Sequence, residues 1–496
     1  MAEQSKGLPM TAKWDPEKLQ KESAELDALA TMPFIPRATG YIKRSGPGLL
    51  QSAMTLGAGS AAASVMAGAS FGYKLLWVQP VAMFLGVMML AALGNIVLTT
   101  GERPYKAFGR ELSVFLAFLW ALGTVMASVI WHFPQYGLAA GAAWDMGEVF
   151  GVPQDSQTAQ YAVKWGVGIL ILGVSIVTTW SYGGNARGIK FYEWFLRGVI
   201  ALVIVSFGIV VGCNLASINW TEMGKGFIGW YGIPQTEGST TLVLGMLGAA
   251  VGINMTFLYP YSLMAKGWGK SHKALSRWDL GLSMFLPFVL VTSLVMIGMA
   301  VTGVYDPANE VVRVGMKPLH ASAALTNVMG ERLGRIIFDL GFIGMTCGAI
   351  STHMVVCGFT LCEMFGLEYT SFRYRMFTLV PAIGILGVVT KTPIWFPIAA
   401  SAVCFTMLPI AYVMFLILNN KRSYIGDAVG SGIRRVVFNV FLVMALAVAT
   451  VGSGIKIYQK VIKPFLPAAE KTEETEKSPP PEHLADEAAE PAKKSE

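Results

Sequence analysis

The chain has 496 residues, of which 54% are hydrophobic and 14% charged, with a net charge of +7. A soluble globular chain carries about 25% charged residues, so a string of soluble domains is excluded. The basic residues sit in short loops between apolar runs, which excludes nucleic-acid binding as the meaning of the positive charge. Residues 1–45 are polar and lysine-rich and have no apolar core of a cleavable signal peptide. The expectation is a cytoplasmic N-terminal segment.

Next come apolar runs near 47–70, 75–99, 113–138, 163–182, 195–216, 240–264, 280–302, 335–360, 375–390, 393–418 and 434–456. They predict an all-α, polytopic membrane protein with about eleven transmembrane helices over 46–456. The run at 375–390 is the weakest, being short and following Arg373 and Arg375. With the N-terminus inside, the inner loops exceed the outer ones roughly three to one in Lys and Arg. An integral membrane protein of a bacterial inner or plasma membrane follows, with the lipid bilayer as its first partner. The tail over 463–496 is rich in Glu, Lys and Pro and is expected to be disordered.

Two of these spans interrupt themselves. The first runs Met54-Thr55-Leu56-Gly57-Ala58-Gly59-Ser60, and the sixth runs Gly248-Ala249-Ala250-Val251-Gly252-Ile253-Asn254-Met255-Thr256. Glycine costs a helix about 1 kcal/mol relative to alanine. An unwound backbone at membrane depth is tolerated only in a cavity wall or inside protein. Interrupted spans at matching places in two halves point to a transporter site built on inverted repeats; close packing through small residues is the alternative. The expected lining is Thr55, Gly57, Gly59, Ser60, Gly252, Asn254 and Thr256. His132, in Trp131-His132-Phe133-Pro134, reads either as a proton-titrating group or as a neutral imidazole bonded to a carbonyl freed by Pro134. His353 poses the same choice. The five cysteines, Cys213, Cys347, Cys357, Cys362 and Cys404, read as packed thiols. No P-loop or catalytic grouping stands out, so neither an enzyme nor a cofactor is expected.

Gly46-Pro47-Gly48 ahead of the first break, Phe71-Gly72-Tyr73 after it, Thr100-Gly101-Glu102 with Arg110-Glu111, Arg187-Gly188 through Glu193, Leu247-Gly248-Ala249, Gly348 to Thr352 and Leu408-Pro409 resemble the natural-resistance-associated macrophage protein (Nramp) family of divalent metal transporters. The likeness spans roughly 46–455. It implies the inverted-repeat fold of leucine-type transporters, with helices 1–5 and 6–10 as repeats, helices 1 and 6 broken and an eleventh helix added.

The departures fall on the site. The family's Asp-Pro-Gly-Asn is Gly57, Ala58, Gly59 and Ser60 here, and its Met-Pro-His is Gly252, Ile253 and Asn254. Its acidic pair of the third helix falls on His132 and Gln135, a second histidine on Tyr259, and a glutamine near Ser401. The resemblance thus assigns a proton pathway to His132, Gln135 and Tyr259, to which His353 is added as a histidine within an apolar span, and metal contacts to Ser60 and Asn254. A divalent ion needs compensating charge or many oxygen ligands, and this set has no formal charge; Asp279 and Asp339 are the nearest acids that could supply it. Three readings stand: a metal-cation carrier with a rebuilt site, coupled to H+ or Na+; a carrier of a neutral or zwitterionic organic solute; and a non-transporting sensor or scaffold.

Overall fold

The computed structural model describes residues 16–44, 46–181, 186–367 and 372–463, and every regular element among them is helical. The expected disorder of the tail concerns residues that, from 464 on, lie outside the described ones. The polar N-terminal segment contains a hairpin of two helices, α1 (Pro16–Ala30) and α2 (Phe34–Arg44). The Arg37 guanidinium of α2 lies over the Trp278 ring at 5.6 Å, which fixes the hairpin to one end of the bundle.

The first apolar run forms α3 (Pro47–Thr55) and α4 (Ala58–Phe71). Then follow α5 (Val78–Thr100), the short connector α6 (Pro104–Glu111), α7 (Val114–Val149), α8 (Gln157–Ser181) and α9 (Ala186–Cys213). The connector α10 (Trp220–Phe227) leads to α11 (Ser239–Ala250) and α12 (Ile253–Ala265), the two halves of the sixth span. Helix α13 (Lys273–Asp279) passes through a π turn at Leu280–Phe285 into α14 (Leu286–Val301). Beyond lie α15 (Pro318–Met329), α16 (Glu331–Phe365), α17 (Phe372–Thr378), α18 (Trp395–Phe405), α19 (Leu408–Asn420), the single turn α20 (Arg422–Ile425) and α21 (Gly432–Ile457).

Eight helices among the described residues are long and apolar enough to cross a membrane, or nine if α18 and α19, bent by 44°, form one span. The expectation of about eleven is met by position rather than by length. The first span is cut into halves of 9 and 14 residues, and the fifth contributes the shorter apolar helix Ala201–Cys213. Helix α7 runs well past its expected end near 138 because Pro134 does not stop it and the residues beyond are small and apolar.

The weak run at 375–390 holds its place for a reason that composition hides. Residues Val380–Val389 form a 3-10 helix, in which side chains three apart eclipse one another. Pro381, Gly384 and Gly387 therefore share one buried edge. That edge lies against α7 beside Pro134: a Cβ on Gly384 would stand 2.2 Å from His132 Cβ, and one on Gly387 would stand 1.9 Å from the Phe133 carbonyl oxygen. Ten residues is long for this geometry. The side-chain-free edge permits an approach no ordinary residue would allow. Helices in lipid gain no hydrophobic drive from one another, so such close packing is a main source of cohesion.

Candidate functional site

Both expected breaks occur. In the first, α3 ends at Thr55 and α4 restarts after Gly57, whose backbone is extended (φ −88°, ψ −168°). In the second, Val251 (φ −142°, ψ 113°) and Gly252 (φ −92°, ψ 162°) separate α11 from α12. Two helix N-termini and two C-termini thus meet deep in the bundle. Each such end, through its unpaired N–H or C=O groups together, carries the equivalent of about half an elementary charge.

The breaks share one cavity of about 10 Å³, lined by Met54, Thr55, Gly59, Ser60, Trp131, Gln135, Gly248, Ala249, Gly252, Asn254, Met255 and His353. A water needs roughly 10–15 Å³ measured this way, so the space takes one small particle. Among the described residues, no carboxylate lines it.

Each break is held by side chains. Ser60 Oγ donates to the Thr55 carbonyl and, at 3.3 Å, to that of Gly57, so it bridges the first gap. Thr55 Oγ1 donates to Ser52 O at 3.0 Å. Gln135 on α7 accepts from the Ala58 N–H at 3.3 Å and so occupies the N-terminus of α4. At the second break Asn254 Oδ1 accepts from the Met255 N–H at 3.0 Å, and Met255 Sδ accepts from the Gly252 N–H at 3.4 Å. The Asn254 amide, so oriented, donates to His353 Nδ1 at 2.8 Å. His353 is then the tautomer with its proton on Nε2, and its one ring lone pair is already used. A metal ion could take that lone pair only by displacing Asn254.

The structure thus gathers Thr55, Gly59, Ser60, Gln135, Gly252, Asn254 and His353 at the cavity, with Gly57 in the backbone of the first break. Thr256 lies apart from the lining: its hydroxyl donates to Ile253 O at 2.5 Å and accepts from Trp120 Nε1 at 2.9 Å. Tyr259 is farther along α12, bonded to Ser276 Oγ at 2.7 Å. Ser401 donates to Gly245 O at 2.7 Å and ties α18 to α11. His132 stands behind the lining, its ring centroid 5.6 Å from that of His353. Its Nδ1 meets Ser128 O at 2.8 Å, one turn back, rather than the Ile130 carbonyl that Pro134 leaves free, while its buried Nε2 has no hydrogen-bond partner.

Neither acid suggested from the sequence reaches the cavity. Asp279 Oδ2 accepts from the Gly48 N–H at 2.6 Å at the start of α3, and Asp339 lies toward the other end of the bundle, near the start of α16.

Five lining residues were not anticipated: Gly248 and Ala249, which leave space, and Met54, Met255 and Trp131, which fill it. Met54 and Met255 bring thioethers to the site. Met255 sits three residues beyond the break, so the first turn of α12 folds its sulfur back over Gly252. Trp131 forms a wall because Gly59 has no side chain; a Cβ there would lie 2.2 Å from the ring. The available signal was adjacency, since both methionines flank the breaks, but methionine also fills ordinary cores.

The sequence over residues 48–454 matches the family described as natural resistance-associated macrophage protein-like. The chain belongs to the Nramp family. It is 24% identical over 324 residues to the divalent metal cation transporter MntH of Brucella suis biovar 1 (strain 1330), an overlap of 62% of this chain and 63% of that relative's length. The manganese transporter of Eremococcus coleocola superposes with TM-score 0.64 at 16% identity, over 90% of this chain and 92% of its own. A nucleobase-cation-symport-1 transporter, closed around bromovinylhydantoin, superposes with TM-score 0.54 at 14% identity, over 86% and 95%. These likenesses show an all-helical transporter fold shared with Nramp proteins and with carriers of organic solutes. Within that fold this Nramp chain has both helix breaks, with no carboxylate among the described residues that line the cavity between them.

Proposed function

We propose that the protein is a secondary transporter of a divalent metal ion that works by alternating access around the two breaks. The observation that carries this is the size and chemistry of the cavity they share. About 10 Å³ of free space accommodates a single ion or water. Its wall offers an imidazole, two thioethers, two amides and hydroxyls. Imidazole and thioether are ligands that transition ions accept more readily than magnesium or calcium, which require oxygen. The missing carboxylate is offset in part by partial negative charge at the C-terminal ends of α3 and α11.

The proposed orientation puts the hairpin of α1 and α2 and the basic loops on the cytoplasmic side, with 46–456 as the transport domain. The repeats would be helices 1–5 and 6–10. The coupling ion is H+ or Na+.

The test is uptake of manganese, and in parallel magnesium and calcium, into proteoliposomes containing the full chain, with calorimetric binding beside it. Saturable manganese uptake and binding, both lost in N254A/H353A, are expected. Binding of none of the three metals by the intact protein would refute the reading and turn attention to organic solutes.

A further inference from the structure

A cluster of buried ionisable groups outside the central site lies where the end of α7 meets the start of α16. Arg335 on α16 is buried, its side chain 6% exposed, and all its observed bonds go to acids or to the backbone beside one. Its Nη2 donates to Asp145 Oδ1 at 2.8 Å, to Asp145 O at 3.2 Å and to Glu148 Oε2 at 2.8 Å; its Nε donates to Asp145 Oδ2 at 3.3 Å. Its Nη1 lies 3.9 Å from Glu331 Oε1, on an exposed side chain. One helical turn onward from Arg335 is Asp339, which is 0% exposed. Its carboxyl faces that of Asp145, yet among the described residues neither of its oxygens meets an N–H or O–H donor.

A buried carboxylate without a donor is costly, and two carboxylates facing each other are costlier still. Arg335 cannot satisfy both, since its Nη2 and Nε are committed to Asp145 and Glu148. A single proton removes the difficulty. With the proton on Asp339, its O–H donates to Asp145, Asp145 stays ionised against Arg335, and the buried trio is neutral. Glu148 and Glu331 are partly or largely exposed and keep water for their charge. Other ionisable groups near this end are Lys317 and His320 at the start of α15, and Lys164 on α8. His320 Nδ1 accepts from the Lys317 N–H at 3.4 Å, and Lys164 faces Lys317. Neither contact supplies a donor to Asp339.

We propose that Asp145 and Asp339 form a proton-binding site, in which one proton shared between the two carboxyls joins α7 to α16. The proton comes from water by way of the half-exposed Glu148. Its loss leaves two buried carboxylates on one arginine and pushes the helix ends apart. The site is separate from the central cavity, and its existence does not depend on the metal-transport reading; only its use as a coupling site does.

The experiment is infrared spectroscopy of the full chain in lipid nanodiscs at neutral pH. A protonated carboxyl shows a carbonyl band that an ionised one lacks. D339N is expected to remove one such band. D145N should remove it as well, because Asp339 can then ionise against Arg335. E148Q, which touches the same arginine, should leave it. A band unchanged in D339N and D145N would overturn the proposal, as would its loss in E148Q. If D339N fails to fold, as judged by circular dichroism, D145N gives the same decision. Metal uptake, measured separately, does not enter the result.

Discussion

The central cavity and the junction of α7 with α16 are both polar regions buried among apolar helices, and they satisfy their polar groups in different ways. The cavity does so without formal charge: Ser60, Gln135 and Asn254 are each bonded to backbone at a helix break. The junction concentrates charge, with Asp145, Arg335 and Asp339 all buried. A neutral network can open and re-form at modest cost, because a typical hydrogen bond contributes only about 0.5–1.5 kcal/mol net. An ion pair out of water resists opening unless its charge is balanced first. On the two proposals, the cavity is the part that moves around cargo and the junction the part whose opening depends on a proton.

The sharpest way to break that contrast is R335L. It leaves Asp145 without its cation, and removing one member of a buried pair costs about 3–5 kcal/mol. A large fall in thermal stability in detergent is expected; a loss no greater than that of a surface substitution would mean the junction is solvated. Next, G59A places a methyl group against the Trp131 ring, and overpacking of this kind costs about 1–3 kcal/mol. Tryptophan fluorescence should shift with it, and metal binding should fall, since the ring is the cavity wall.

H353A leaves the Asn254 amide without its acceptor, a loss of about 1–3 kcal/mol if water does not enter. Retained metal affinity in this variant would show that the imidazole is structural and that the thioethers and amides suffice. Q135A removes the cap on α4, which in helices generally costs about 0.5–2 kcal/mol. Hydrogen exchange at Ala58 should accelerate while the amides at the junction stay protected.

The smallest effect lies at the cytoplasmic loops of the proposed orientation. The Lys421 ammonium, 2.9 Å from Glu111, and the nearby Arg110 hold the Glu111 carboxyl below its ordinary range. A carboxyl held low stabilises the fold above its unfolded pKa and loses that contribution as the pH falls through its folded one. The pair is partly exposed, so about 1 kcal/mol or less is at stake. K421M should flatten the acid limb of a stability-against-pH curve by that amount and leave metal uptake unchanged.

The sequence by itself determined the membrane class, the positions of the helices and the two breaks, because hydropathy and glycine placement are local properties of the chain. Gly57 and Gly252 could be located from their neighbours alone. By resemblance it also set Gly57 and Asn254 at the places of the family motifs' Asp and His. Only the tertiary structure decided what replaced them. Met54 and Met255 looked like any other methionines until the breaks brought their sulfurs to one cavity. Thr256, beside Asn254 in sequence by only two positions, turns to Trp120 because a helix places residues two apart on different faces. Asp339 was visible as an acid within an apolar span, but Asp145, Arg335 and Asp339 meet from positions nearly two hundred residues apart. The Pro381–Gly384–Gly387 edge belongs to the same class: a spacing of three has meaning only once the backbone adopts a 3-10 path against α7. Breaks are set by bonds along the chain, and binding sites by which side chains packing then brings together.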